Sequence, residues 1–223
     1  MKNNSIPKLR YPEFTDAWEK CKLGEVAETY SGGTPNAREK KYYGGEIPFI
    51  RSAEVNSEKT ELFLTEIGFK NSSAKMVNIG DILYALYGAT SGEVGISRIK
   101  GAINQAILAI NPKTGYDNQF IVSWLEGNKE TIISTYLQGG QGNLSGTIVK
   151  NFEIPFPTLP EQQKIGALFR RLDRLITLHK RKLLEKYNKN NTKFLQNVTH
   201  QQSVLKLCCI TFNPIIERTS LCN

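Results

Sequence analysis

The sequence predicts an α+β (mixed α/β) domain followed by a long coiled-coil helix, and three observations carry that reading. Strand-length apolar runs set off by glycine and proline turns fill the first half of the chain. A helical period replaces them between residues 118 and 137, and a heptad-like apolar seam begins just after residue 158. At 223 residues and 25.1 kDa the chain suits one good-sized domain with an appendage, or two small ones. Hydrophobic residues make up 39% and charged residues 22%, enough to bury a core and too balanced for wholesale disorder. The best apolar run, Ile82 to Leu86, falls far short of the roughly 18 residues a membrane helix needs. Met1 to Trp18 has no apolar core of a secretory signal, and Cys21, Cys208, Cys209 and Cys222 have no CxxC spacing. Membrane, secreted disulfide and zinc-finger classes are excluded on these grounds, and a soluble, reducing, cytoplasmic setting is expected.

Taken in order, Ile6 to Leu23 reads as a lead-in that pins Phe14 and Trp18 onto a core. Ser31-Gly32-Gly33-Thr34-Pro35 predicts a loop in which two glycines release φ and proline sets the exit. Tyr42-Tyr43-Gly44-Gly45 predicts a turn, and Ile47-Pro48-Phe49-Ile50 a short strand whose proline suits an edge or a strand start. Asp81 to Tyr87 reads as a buried strand ended by Gly88. Val94 to Ile99 and Gln105 to Ile110 read as strands with a Lys100-Gly101 turn between them. Phe120, Ile121, Trp124 and Leu125 share one helical face, and Ile132, Ile133, Tyr136 and Leu137 another beyond Gly127. A glycine-rich loop spans Gly139 to Ser145, and Phe152 to Phe156 is the last strand, closed by prolines 155, 157 and 160.

Thr158-x-x-Glu161 has capping-box spacing, with Pro160 in the first turn, so a helix starts there. Phe169, Leu172, Ile176, His179 and Leu183 follow one another at steps of 3, 4, 3 and 4, with Ile165 ahead of them, which is the spacing of a coiled-coil seam. A helix from Pro160 to Val198 would be about 55–60 Å long. Such a stripe calls for a partner helix, unless the helix folds back on its own domain. The expected organisation is therefore a domain over 1–157, a long helix over 158–198 and an unassigned tail over 199–223.

Charge becomes informative once divided. Residues 1–160 hold 17 Lys+Arg against 17 Asp+Glu, whereas residues 161–198 hold 10 against 3, so the formal +8 belongs almost wholly to the helical segment. Any nucleic-acid contact by the first domain must then rest on a local patch rather than a global field.

Catalytic motifs are missing. There is no GxxxxGK[ST], and Gly88-Ala-Thr-Ser-Gly92-Glu-Val-Gly95 lacks both the phosphate-reaching lysine and the GxGxxG arrangement. No Asn-Pro-Pro-aromatic segment of amino-methyltransferases occurs. His179 and His200 have no ligand cluster around them, and Glu39-Lys40-Lys41 lacks the preceding acids of a nuclease site. The expectation is a binder without catalytic or metal-ligating residues. A reader of DNA needs cations for phosphates and Asn, Gln or Arg for base edges. Arg51, Lys59, Lys75, Gln138, Gln141 and Asn143 are the candidates, the last three beside glycines that let backbone approach a groove. Ordinary solvated surface residues are the alternative for each.

The chain resembles the specificity subunit of type I restriction–modification systems. The resemblance runs from Pro7 to Val198 and rests on PKLRYPEFTDAWEKCKLGEV (Pro7 to Val26), GGTP (Gly32 to Pro35), YYGGEIPFIRSAEV (Tyr42 to Val55) and GDILYALYGATSGEVG (Gly80 to Gly95). It continues through NQA (Asn104 to Ala106), GGQGNLSG (Gly139 to Gly146) and IPFPTLPEQQKIGALFRRLDRLI (Ile154 to Ile176). The resemblance implies that the first domain is a target-recognition domain for half of a split double-stranded DNA site, and that the helix is a spacer. In full-length members two such domains alternate with two helices that pair antiparallel and dock modification subunits. Those subunits bind S-adenosylmethionine and methylate adenine, and a restriction subunit joins them; the specificity chain itself is not an enzyme and binds no cofactor. One domain and one helix make this a half-length form, expected to self-associate through Ile165, Phe169, Leu172, Ile176, His179 and Leu183. The alternative is a truncated subunit that binds modification subunits without competent DNA recognition.

Overall fold

The computed structural model describes residue 7, residues 10–137 and residues 143–216, with side chains described as far as residue 189. In chain order the elements are β1 (Glu19–Lys22), the single turn α1 (Leu23–Val26), β2 (Ala27–Ser31), β3 (Tyr43–Ile50), β4 (Phe63–Leu64), α2 (Glu66–Lys70) and β5 (Lys75–Val77). There follow β6 (Ile82–Ala85), β7 (Val94–Ile96), β8 (Gly101–Ile103), β9 (Ile107–Pro112), α3 (Asn118–Gly127), α4 (Lys129–Tyr136), α5 (Gly146–Lys150), β10 (Glu153–Phe156) and α6 (Leu159–Ile216). The mixed architecture expected from the sequence is what the chain adopts.

Among the described residues the strands form three sheets. The first, in order β2-β9-β6-β7, is antiparallel throughout; the second, β4-β3-β8-β5, contains the parallel pair β3/β8; the third is the ribbon β1-β10. Alternation along the first sheet sends Ala27, Ile82, Tyr84, Val94, Leu108 and Ile110 into a core shared with Phe120, Ile121, Leu125, Leu144 and Phe152. The intervening Leu83, Ala85, Ile107 and Ala109 pack instead with Ile50, Val55, Val77 and Ile103 of the second sheet and its loops. Both faces of β6 are therefore covered, which is why Ile82 to Leu86 reads as one continuous apolar run. Each such large aliphatic side chain, fully buried, contributes about 1.5–3 kcal/mol.

Several local expectations are corrected. The lead-in contains β1, whose Lys20 pairs with Pro155 of β10 across most of the chain. Pro48 lies within β3, an interior strand between β4 and β8; a register shift between Tyr43 and Ile47 marks an irregularity there. Gly101, read as a turn, opens β8. Gly32 and Gly33 do not have positive φ. They are required because a Cβ on Gly32 would stand 1.8 Å from the Ile103 carbonyl oxygen and one on Gly33 1.9 Å from Ser73 Oγ. Close approach, and not turn geometry, is the reason for that pair of glycines.

The start of α6 is built into the first domain. Glu161, expected as the acid of a capping box, is fully buried and accepts two hydrogen bonds from the Arg10 guanidinium, from Nε and Nη2, at 2.7 Å each. Gln162, also buried, donates to the Pro157 carbonyl (2.8 Å) and accepts from the Asp117 backbone N–H (3.0 Å). Asp117 in turn caps α3 through the Phe120 N–H. A Cβ on Gly166 would meet Asp117 Oδ1 at 2.7 Å, so glycine there lets the helix pass close to this cap. Ile165 packs against the domain core. These engagements explain why the compact units divide as Met1–Arg170 and Arg171–Asn223, and not at the expected residue 157. The backbone of α6 runs on past residue 198 to Ile216, into the segment read as an unassigned tail.

Candidate nucleic-acid interface

Strand register brings separate parts of the sequence to one place. Ile103, the last residue of β8, pairs with Ile50, the last of β3, and with Lys75, the first of β5. Ile107, the first of β9, pairs with Ala85, the last of β6, and Leu108 pairs with Ser31, the last of β2. Asn104-Gln105-Ala106 is thus a corner joining the two four-stranded sheets, and the ends of β2, β3, β5 and β6 gather around it. Gly32 to Pro35 leave β2 there, Arg51 leaves β3, and Tyr87 leaves β6 to bridge Asn143. Lys59 to Glu61 enter β4 at the same end, anchored where Thr60 Oγ1 donates to the Phe49 carbonyl at 3.0 Å.

Local bonds hold the corner. The Asn104 carboxamide oxygen accepts from the Ala106 N–H at 3.0 Å. Thr34 Oγ1 donates to Gln105 Oε1 at 2.7 Å, tying the Gly32–Pro35 loop to the corner. The Leu86 N–H donates to the Ala106 carbonyl and the Leu144 N–H to that of Leu86, so the segment following the glycine-rich loop is fastened to the same end.

Of the sequence-predicted residues, Arg51, Lys59, Lys75 and Asn143 lie around this corner, and Gln138 and Gln141 lie outside the described residues. Lys59, Lys75 and Asn143 are exposed, and neither lysine makes an ion pair among the described residues. Arg51 is differently placed: its Nη2 donates to Glu54 at 2.6 Å and lies 3.4 Å from Glu61. The Glu54 hydrogen bonds and charge raise the guanidinium pKa further. Burial pushes the Glu54 carboxyl up, but the bonds from the Arg51 side chain and backbone and from Thr60 outweigh it and hold Glu54 below its usual range. Arg51 therefore shapes the loop after β3 before it offers charge to a ligand. Sequence reasoning missed Thr34, Asn104 and Gln105 as site residues. Their signal was the short polar run between two strand-like segments, which only register turns into a corner.

On α6, Ile165 belongs to the domain core and not to an open seam. Phe169, Leu172, Ile176 and Leu183 are 42–65% exposed, and Leu168, Leu175 and Tyr187 extend the same stripe. His179 is exposed, its Nδ1 3.2 Å from the Leu175 carbonyl oxygen. Among the described residues no three His, Cys, Asp or Glu side chains stand close enough to hold a metal ion, and no helix is long and apolar enough to cross a membrane.

The model of the type I restriction modification DNA specificity domain matches residues 15–196, and the chain belongs to that family. It is 30% identical over 182 residues to the type I restriction enzyme MjaIX specificity subunit of Methanocaldococcus jannaschii, covering 76% of this chain and 41% of the relative. To the EcoR124I/EcoR124II specificity subunit of Escherichia coli it is 23% identical, covering 75% and 43%. The chain spans about two-fifths of the length of these relatives. Its fold is shared with the HsdS subunit from Thermoanaerobacter tengcongensis (TM-score 0.58, 20% identity, 80% of this chain and 42% of that one). It is shared too with a chain from a structure of the type I R-M system in assembly and conformational transition (TM-score 0.61, 21% identity, 82% and 44%).

Proposed function

We propose that this chain is the DNA sequence-recognition subunit of a type I restriction–modification complex and directs modification and restriction subunits to a bipartite double-stranded site. In this reading the Asn104–Ala106 corner and the loops around it meet one half-site. Lys59 and Lys75 neutralise phosphates, and Gln and Asn side chains reach base edges. The chain performs no chemistry itself: adenine methylation belongs to the modification subunit, which is where S-adenosylmethionine binds. All of this takes place in the cytoplasm. The observation that carries the reading is the convergence of the family-like GGTP and NQA segments with exposed lysines at one sheet end, in a chain of this family.

In this reading the exposed apolar stripe Phe169, Leu172, Ile176 and Leu183 pairs two copies, so that two identical domains related by a two-fold read an inverted repeat. Light scattering of the purified chain, with and without the modification subunit, is expected to give a mass containing two copies; a single copy in both states overturns the pairing. A salt titration of DNA binding by the reconstituted complex tests recognition itself. Target and random duplexes should separate by about a thousandfold or more. Equal, salt-sensitive affinity for both would leave a subunit that recruits partners without reading sequence.

A further inference from the structure

We infer that Arg10 and Glu161, with Lys164 beside them, are positioning residues that fix the length of the spacer between two half-sites, by clasping the root of α6 so that it neither tilts nor turns on its own domain. This builds on the recognition and pairing proposed above, which supply the half-sites; the clasp supplies the distance between them.

The first turns of α6 are held on two flanks. Gln162 and Gly166, one turn apart, meet the loop that caps α3, through the Asp117 backbone N–H and Oδ1. Glu161 and Lys164, also one turn apart, meet the lead-in of the chain instead. Glu161, fully buried, accepts from Nε and Nη2 of Arg10, whose own side chain is only 10% exposed. Lys164 pairs with Glu13 and stands over the rings of Tyr11 and Phe14, 5.5 and 5.4 Å from their centroids. Those two rings meet edge to face. Ile165 packs on the domain core as well. The lead-in is itself tied down, because β1 pairs with β10, the strand that runs into α6.

A clasp of this kind does more than an apolar contact can. Hydrophobic burial is non-directional, so Ile165 alone would let the helix rock on its seat. Two parallel guanidinium–carboxylate bonds fix a plane, and opening them where the carboxylate is buried leaves an uncompensated charge. The tolerance required is small. At 1.5 Å per residue, Ile176 in the middle of the exposed stripe lies about 22 Å along α6 from Glu161. A tilt of roughly 9° at the root then shifts domain against stripe by about 3.4 Å, which is the rise of one base pair. With two copies paired through that stripe, play at the root would appear directly as play in spacer length.

The test uses the full chain reconstituted with its modification subunit. Selection from duplexes with a randomised segment first gives the half-site motif. A second set of duplexes carries that half-site twice, in inverted repeat, at the wild-type spacing and at one or two base pairs shorter or longer. Binding is compared for the wild type, Arg10→Ala/Glu161→Ala, Lys164→Ala and Val77→Ala. The double variant removes both charges, so neither is left buried without its partner. Val77→Ala opens a cavity in the core of the second sheet, a loss of stability outside the root.

The wild type should bind a spacer wrong by one base pair about 10-fold or more weakly. The double variant should keep the half-site motif and reduce that penalty to about threefold or less. Lys164→Ala, at an exposed position, should reduce it in part, and it decides the matter if the double variant does not fold. Val77→Ala should keep the wild-type penalty. A spacer penalty unchanged in both root variants overturns the inference. An equal fall in Val77→Ala overturns it too, because lost stability would then be the cause. A wild type that enriches no motif overturns the proposed recognition, and one that selects a single half-site overturns the pairing; in either case the clasp has no spacer to set.

Discussion

The root of α6 and the Asn104–Ala106 corner handle polar groups in opposite ways. At the root, Glu161 and Gln162 are buried and every donor and acceptor described for them is committed: Glu161 to Arg10, Gln162 to the Pro157 carbonyl and the Asp117 N–H. At the corner, Lys59, Lys75, Gln105 and Asn143 are exposed, with backbone fastened beneath them. A buried, satisfied polar cluster fixes geometry because leaving any member unpaired is costly. An exposed polar cluster on a fastened backbone keeps its donors for a ligand. Segments of equal resemblance to the family therefore divide into those that build the module and those that display its surface.

Substitutions should separate the two. The largest effect is expected at the root: Gln162→Leu leaves the Asp117 N–H and the Pro157 carbonyl without their partner and should cost about 2–3 kcal/mol. Thermal unfolding would show this as a midpoint lower by roughly 5–10 °C, while the sequence preference of the surviving folded protein stays the same. Gly32→Ala joins both regions' behaviours. Its Cβ would overlap the Ile103 carbonyl, so calorimetry should record a loss of about 1–3 kcal/mol, and the displaced Thr34 should weaken DNA binding as well.

Smaller and of the opposite kind is the effect of removing exposed charge. Lys59→Ala and Lys75→Ala should leave the unfolding midpoint in place and make the dependence of log affinity on log salt shallower by about 1 each. A changed midpoint with an unchanged salt slope would make both lysines structural. Smallest is a pH effect at the loop after β3. Glu54 ionises below its usual 4.5 when folded, so it adds stability at neutral pH that is lost as pH falls through that lowered value. Glu54→Gln should flatten the loss of stability on acidification below the usual 4.5 relative to the wild type, and an unchanged acid limb would remove Arg51 from the role of holding this loop.

The elements fixed by local chemistry were legible in the sequence. The helical stretch that begins at residue 118, the buried strand β6 and the start of α6 follow from spacing and composition alone. What was not legible depends on pairings between distant segments. β1 is a strand only because β10 lies beside it, and Gly101 opens β8 only because Phe49–Ile50 run parallel to it. The capping-box spacing at Thr158-x-x-Glu161 located the helix start correctly, yet the carboxylate serves Arg10, 151 residues away. Four of the six candidate DNA residues lie at the corner, but their shared location is a product of register. Thr34 and Gln105 were passed over for the same reason: their bond spans 71 residues. The stripe on α6 was visible from its steps, and the structure removes Ile165 from it by packing that side chain on the core.

The central claim is that this chain chooses the DNA sequence on which another subunit acts. It is tested most directly by mapping methylated adenines in cells that carry the chain together with its modification subunit, against cells that carry the modification subunit alone. The account predicts one new motif, two half-sites in inverted repeat about a fixed spacer, present only with the chain. Methylation that is absent, or that has the same motif without the chain, would contradict it.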